Sequence, residues 1–231
     1  MIEDTLIKYM TARIEEEHPI KKESGPIITL SREYGCYASH IATLLNEKLT
    51  EASQIDTKKV KWNVISNEIL LDAAKALEID PSKISHLFGA SEKQFLSDLL
   101  ESFSTKKYVS DTAIKKAITA IVKSYAEQGN AIIVGRAGCV ITKGITKSLH
   151  VRLVAPHDWR VRRIQERFNL NEVSARKQVA EFDEKRKTFM SFFRGDKPDA
   201  ELFDVTFNRA KMTEEEIISS IYNIAQSRHF I

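Results

Sequence analysis

The stretch that most narrows the folds open to this chain is Ile27-Ile28-Thr29-Leu30, a short apolar run that meets the polar turn Ser31-Arg32-Glu33-Tyr34-Gly35-Cys36-Tyr37. An amphipathic helix follows, running to about Leu49. Strand, tight turn and helix in that order aim the first N–H groups of a helix at any anion seated in the turn.

The same alternation continues downstream. Ala131-Ile132-Ile133-Val134 is an unbroken apolar run after the stop signal Gly129-Asn130, as expected of a parallel strand buried on both faces. Val60-Lys61-Trp62-Asn63-Val64-Ile65, residues 149–154 and residues 204–207 read as further strands. Helices are expected from Ser66 onward, with Ser66 as N-cap, from Asp80-Pro81, over 91–103, over 109–128, over 158–168 and over 172–193. A last helix opens at the capping box Thr213-Glu214-Glu215-Glu216 and runs to about Ser227. Strands alternating with helices require a parallel sheet with right-handed crossovers, so the fold class is α/β. Residues 1–24 precede the first strand as an amphipathic helix and a polar run, an appendage suited to packing on the domain or on a second copy in a homodimer.

Composition excludes several classes. Two cysteines cannot build a disulfide framework, which fits a reducing cytoplasm, and the acidic start Met1-Ile2-Glu3-Asp4 has no signal-peptide pattern. No apolar run approaches the length of a membrane span. The net charge of +3 suits small anions and is too weak to argue for nucleic acid.

Three constellations could carry chemistry. Set against G-x-x-x-x-G-K-[ST], the first turn puts Arg32 and Tyr37 at the glycines, Ala38 at the lysine and Ser39 at the serine/threonine. Gly35 remains, Ser39 is a candidate magnesium ligand and Arg32 a candidate replacement cation; the alternative is an ordinary strand-to-helix turn. The second constellation is Gly135-Arg136-Ala137-Gly138, directly after a strand, where open parallel sheets bind ligands and an arginine can hold a phosphate bidentately. The third is helical: Arg160, Arg163 and Arg167 share one face, as do Asp183 and Arg186. Guanidinium groups on a hairpin can stabilise a transferring phosphoryl group, whereas the alternative is a solvated face balanced by Glu166, Glu172, Glu181 and Glu184. His40, His86, His150 and His157 lack metal-ligand spacing. Cys36, beside a helix N-terminus, could be acidified there, but a structural thiol is the simpler reading. Trp62 and Trp159 read as packing residues.

Taken together and in order, these residues resemble the cytidylate kinase-like family, a branch of the P-loop nucleoside-monophosphate kinases. That family's first loop reads I-S-R-E-Y-G-S-G-G-x-x-I-A, against Leu30-Ser31-Arg32-Glu33-Tyr34-Gly35-Cys36-Tyr37-Ala38-Ser39-His40-Ile41-Ala42 here. Its I-I-V-G-R-G is similar to Ile132-Ile133-Val134-Gly135-Arg136-Ala137, and its A-P-x-x-W/Y-R to Ala155-Pro156-His157-Asp158-Trp159-Arg160. Its D-x-x-R and F/Y-D-L-T-x-N elements fall on residues 183–186 and 203–208. The resemblance implies a P-loop three-layer domain over 25–231, a parallel sheet of about five strands, a nucleoside-monophosphate region at 60–105 and a helical lid at 168–195. It implies transfer of the γ-phosphate of ATP, with Mg2+, to a nucleoside monophosphate such as CMP or dCMP.

On that reading Arg32, Glu33, Tyr34, Gly35 and Ser39 hold donor phosphates, with Ser39 also at the metal. Gly135, Arg136, Asp183 and Arg186 hold the acceptor, and Arg32, Arg160, Arg163, Asp183 and Arg186 serve catalysis. The departures are Tyr37 and Ala38 in place of two glycines, Ala137 where the family carries aspartate, and Val179 where it carries a lid arginine. They keep open a second reading, a degenerate nucleotide-binding sensor or scaffold. A third, nucleic-acid binding through residues 160–194, predicts steep salt dependence.

Overall fold

The computed structural model describes residues 25–55, 60–66, 111–194 and 198–231. The appendage over 1–24, the helices expected after Ser66, at Asp80-Pro81 and over 91–103, and most of the 60–105 region lie outside the described residues.

Along the chain run β1 (Ile27–Arg32), α1 (Ala38–Ile55), β2 (Asn63–Ile65), α2 (Asp111–Gln128), β3 (Ala131–Val134), α3 (Gly138–Ile141) and β4 (Ser148–Val154). They are followed by α4 (His157–Phe168), α5 (Glu172–Arg194), β5 (Val205–Asn208) and α6 (Glu214–Ser227). The five strands form one sheet in the order β2-β3-β1-β4-β5, and every pairing is parallel. The expected α/β class and parallel sheet are therefore observed.

Strand periodicity divides the core. Ile27 and Ile133 join Ile114, Ile118, Ile121 and Val122 of α2 in one apolar cluster. Ile28, Leu30, Ile132 and Val134 point to the opposite face, against Ile41 and Leu45 of α1 and Ile217 and Ile221 of α6. Successive residues of β1 and β3 thus bury on alternate faces, giving a helix–sheet–helix sandwich.

Local signals set the boundaries. Gly129 and Asn130 take left-handed backbone (φ 72° and 51°), which ends α2 and starts β3. Asn169 (φ 50°) does the same for α4, and the Asn171 carboxamide oxygen accepts the Ser174 N–H at 2.8 Å to open α5. The Thr213–Glu216 capping box opens α6 as expected. Trp62 is fully buried, in keeping with a packing role.

Candidate functional site

The central strand β1 delivers the first turn to the carboxyl edge of the sheet, flanked by β3 and β4. Leu30 pairs with Val134, and the Gly135 N–H donates to the Leu30 carbonyl at 2.9 Å, so the two loops expected to share a cleft are adjacent. Arg32 joins them. A Cβ at Gly135 would stand 1.9 Å from Arg32 Nη1, so the guanidinium lies directly on the glycine. Only a residue without a side chain permits that approach.

The second turn is strained as well as crowded. Gly135, Arg136 and Ala137 have successive positive φ values of 73°, 55° and 54°. Two non-glycine residues in that region carry an energetic cost, and such strain collects at functional sites. The buried Arg136 side chain donates from Nε to the Ser66 carbonyl at 3.3 Å, on the side of the sheet leading into the 60–105 segment.

In the first turn, Gly35 (φ 91°) lies on α4: a Cβ there would meet Arg160 Cβ at 3.1 Å and the Arg160 carbonyl at 3.2 Å. Tyr37 keeps the left-handed backbone (φ 51°) at the place where the phosphate-loop pattern has glycine. Its hydroxyl donates to the Arg163 carbonyl at 2.7 Å, which holds the ring against α4. The helix begins immediately afterward at Ala38, and the Tyr37 carbonyl accepts from His40 and Ile41. Among the described residues, no acceptor meets the N–H groups of Gly35, Ala38 and Ser39. Ser39 itself is exposed on the first turn of α1.

The remaining expected site residues form struts as well as possible ligands. Arg160 is 7% exposed. It donates to the Ala155 carbonyl (3.1 Å) and the Tyr34 carbonyl (3.1 Å), and it pairs with Asp183 (2.5 Å) and Glu33 (3.4 Å). Glu33 also accepts the Ala155 N–H at 3.0 Å. Asp183 pairs with Arg160 and accepts the Tyr34 N–H. These partners occupy Nε and Nη1 of Arg160. Arg186 lies over the Tyr34 ring at 5.1 Å. Tyr34 stacks on Phe182 with centroids 4.4 Å apart, its hydroxyl accepts from Gln178 at 2.8 Å, and burial raises its pKa.

Arg209 escaped the sequence reading. It is buried, donates to the Cys36 carbonyl (3.4 Å) and pairs with Glu214 (2.7 Å), which also meets His40 at 3.1 Å. Burial pushes the Glu214 pKa up, but Arg209 and His40 outweigh it and hold the carboxyl below its ordinary value. The available signal was position: Arg209 directly follows β5, as Arg136 stands two residues past the end of β3. Cys36 is not acidified; burial and the nearby Glu33 push its pKa up to about 12. Among the described residues no group of His, Cys, Asp and Glu could hold a metal ion, and no helix is long and apolar enough to cross a membrane.

Comparison with solved structures finds the same fold in an uncharacterized protein from Eubacterium ventriosum ATCC 27560. The TM-score is 0.62 at 19% identity, over 87% of this chain and 98% of that one. A looser likeness, too weak to argue from, is to shikimate kinase from Bacteroides thetaiotaomicron (TM-score 0.49, 11% identity, the same coverages). No curated protein matches. Residues 27–211 match the cytidylate kinase-like family model, a span that takes in the loop after β1, the strained turn after β3 and the arginine hairpin. A match running from the first strand past the last places the chain in the cytidylate kinase-like family.

Proposed function

We propose that this chain is a phosphotransferase that moves the γ-phosphoryl group of ATP to a nucleoside monophosphate of the CMP or dCMP type. The observation that carries this reading is the group of uncommitted N–H donors at Gly35, Ala38 and Ser39, next to a guanidinium resting on the neighbouring turn. Converging N–H dipoles and one fixed cation suit a chain of phosphates.

In the proposed reaction the residues after β1 cradle the donor phosphates and Arg32 supplies charge where a lysine would stand. Arg136 faces the acceptor side. An acceptor phosphate oxygen attacks the γ-phosphorus while the bond to the β-phosphate oxygen breaks. The chain contributes position and charge and forms no covalent intermediate. Of the hairpin arginines assigned to catalysis, Arg163 is exposed and Arg186 half-buried; Arg160 and Asp183 hold the loop in shape. The exposed Ser39 hydroxyl fits a hard cation as one oxygen ligand, with phosphates and water supplying the rest. Bound magnesium would neutralise charge on the donor phosphates.

The test is ADP release from ATP-magnesium over a panel of nucleoside monophosphates, with Arg32→Ala and Arg186→Ala as controls. Acceptor-dependent turnover lost in both variants supports the kinase and names its substrate. Silence from folded protein that still binds ATP favours the second reading, a sensor without turnover. The engagement of Arg160 by Glu33 and Asp183, and Ala38 at the lysine position, speak for that alternative.

A further inference from the structure

Five side chains outside the loop backbone form an alternating series along its rim. The Arg163 guanidinium carbon lies 5.6 Å from the Trp159 ring and 5.5 Å from the Tyr37 ring. That of Arg167 lies 4.7 Å from the Tyr37 ring and 5.6 Å from the Phe168 ring. Two cations one helical turn apart repel each other, yet here one aromatic ring serves both. That ring stands on a residue with left-handed backbone, a conformation costly for an aromatic residue. Its hydroxyl is fixed to the α4 backbone, which ties the loop residue to the helix that carries both arginines.

We propose that Tyr37 is a positioning residue of the donor site. It presents Arg163 and Arg167 to the phosphates and so makes up for the missing lysine. A guanidinium held over a ring contributes its face; Arg163 Nη1 also pairs with the exposed Glu166 at 3.3 Å, a carboxylate that a bound phosphate would replace. The Ala38 and Ser39 N–H groups follow Tyr37 directly in the chain, at the N-terminus of α1. Tyrosine at this point is then a functional exchange: the loop loses a cation one residue later and acquires an aromatic support for two. This inference rests on the donor reading above and adds the residues that read the polyphosphate.

The experiment is calorimetric titration of the full chain with tripolyphosphate, which isolates phosphate recognition from base recognition and from turnover. Tyr37→Phe keeps the ring and should bind within about twofold of the wild type. Tyr37→Gly and Tyr37→Asn both accept left-handed backbone and should bind about tenfold more weakly, the scale of a partly desolvated cation–π pair, while still unfolding in one cooperative thermal transition. In an Arg163→Ala/Arg167→Ala background, Tyr37→Gly should cause no further loss. Equal or tighter binding by Tyr37→Gly and Tyr37→Asn overturns the proposal, because the ring would then obstruct the site. Additive losses in the triple variant overturn it as well. A wild type that binds no tripolyphosphate overturns the donor reading itself, and this inference with it; binding that is indifferent to Tyr37 overturns this inference alone.

Discussion

Asp183 and Arg160 grip opposite ends of Tyr34: the carboxylate accepts the Tyr34 N–H at 2.8 Å while the guanidinium donates to the Tyr34 carbonyl at 3.1 Å. The two side chains also pair with each other, so the loop after β1 is pinned to both hairpin helices through one residue. Asp183→Ala should destabilise the fold by about 2–3 kcal/mol, since it leaves a buried guanidinium with one carboxylate and an N–H without its acceptor. Asp183→Asn, which keeps an acceptor, should cost about half as much. Urea unfolding measures both, and an unchanged midpoint in Asp183→Ala would show that the contact contributes nothing.

Gly135→Ala should imitate Arg32→Ala. The added methyl group lands 1.9 Å from Arg32 Nη1, and the flexible arginine is what must move. On the proposed mechanism both variants lose about 10²–10³ in kcat/KM while remaining folded, the magnitude of one lost charge-stabilising contact. Steady-state kinetics on the two side by side decides it; full activity in Gly135→Ala would mean that the contact with the turn does not set the working position of Arg32.

Stability should depend on pH through His150. Ser148 donates to the Ile145 carbonyl (2.7 Å), so its oxygen accepts from His150 Nε2 (3.2 Å), leaving Nδ1 to accept the Thr29 hydroxyl (2.9 Å). Burial lowers the His150 pKa, an effect that Asp204 opposes, so the folded imidazole is neutral. The unfolded chain takes up that proton more readily. Stability is therefore fully present above the unfolded pKa of about 6.5 and falls by up to about 1.4 kcal/mol per pH unit below it, until the folded pKa is reached. His150→Gln should be less stable at pH 8, and its gap to the wild type should narrow by pH 5.5. Parallel curves in urea titrations would refute this.

Both thiols should resist modification in the native state. Cys36 and Cys139 are fully buried, and the Cys36 thiol is held protonated well above neutral pH. Ellman's reagent at pH 8 should titrate neither until denaturant is added. Rapid labelling of one thiol in native protein would reveal an opening that this packing does not allow.

What the sequence made legible was local or periodic. The apolar run 131–134, the Gly129-Asn130 stop and the Thr213–Glu216 box all act within a few residues, and each stands at the residues expected. That the turns after β1 and β3 open at the same edge was also legible, because strands of a parallel sheet end on one side; that β3 lies beside β1 is a matter of strand order. The partners of the charged residues were not. Arg160 meets Tyr34 across 126 positions, and Arg209 meets Cys36 across 173. Helical spacing places arginines on a face without saying what that face meets. Tyr37 could be read as a misfit in a glycine position, but its contacts depend on a helix more than a hundred residues away.

Tyr34, Val161, Ile164, Ala175, Val179 and Phe182 make a small apolar core of their own, separate from the two on the faces of the sheet. Half of the stacked pair at its centre comes from the loop after β1 and half from the hairpin. Swinging the hairpin away from the loop would hand both rings to water and break the bonds at Tyr34 together, which makes that motion a local unfolding event. A ligand that needed such a motion would enter with the steep temperature dependence of a melting step, whereas one that slipped in past the rim would arrive at the pace of diffusion.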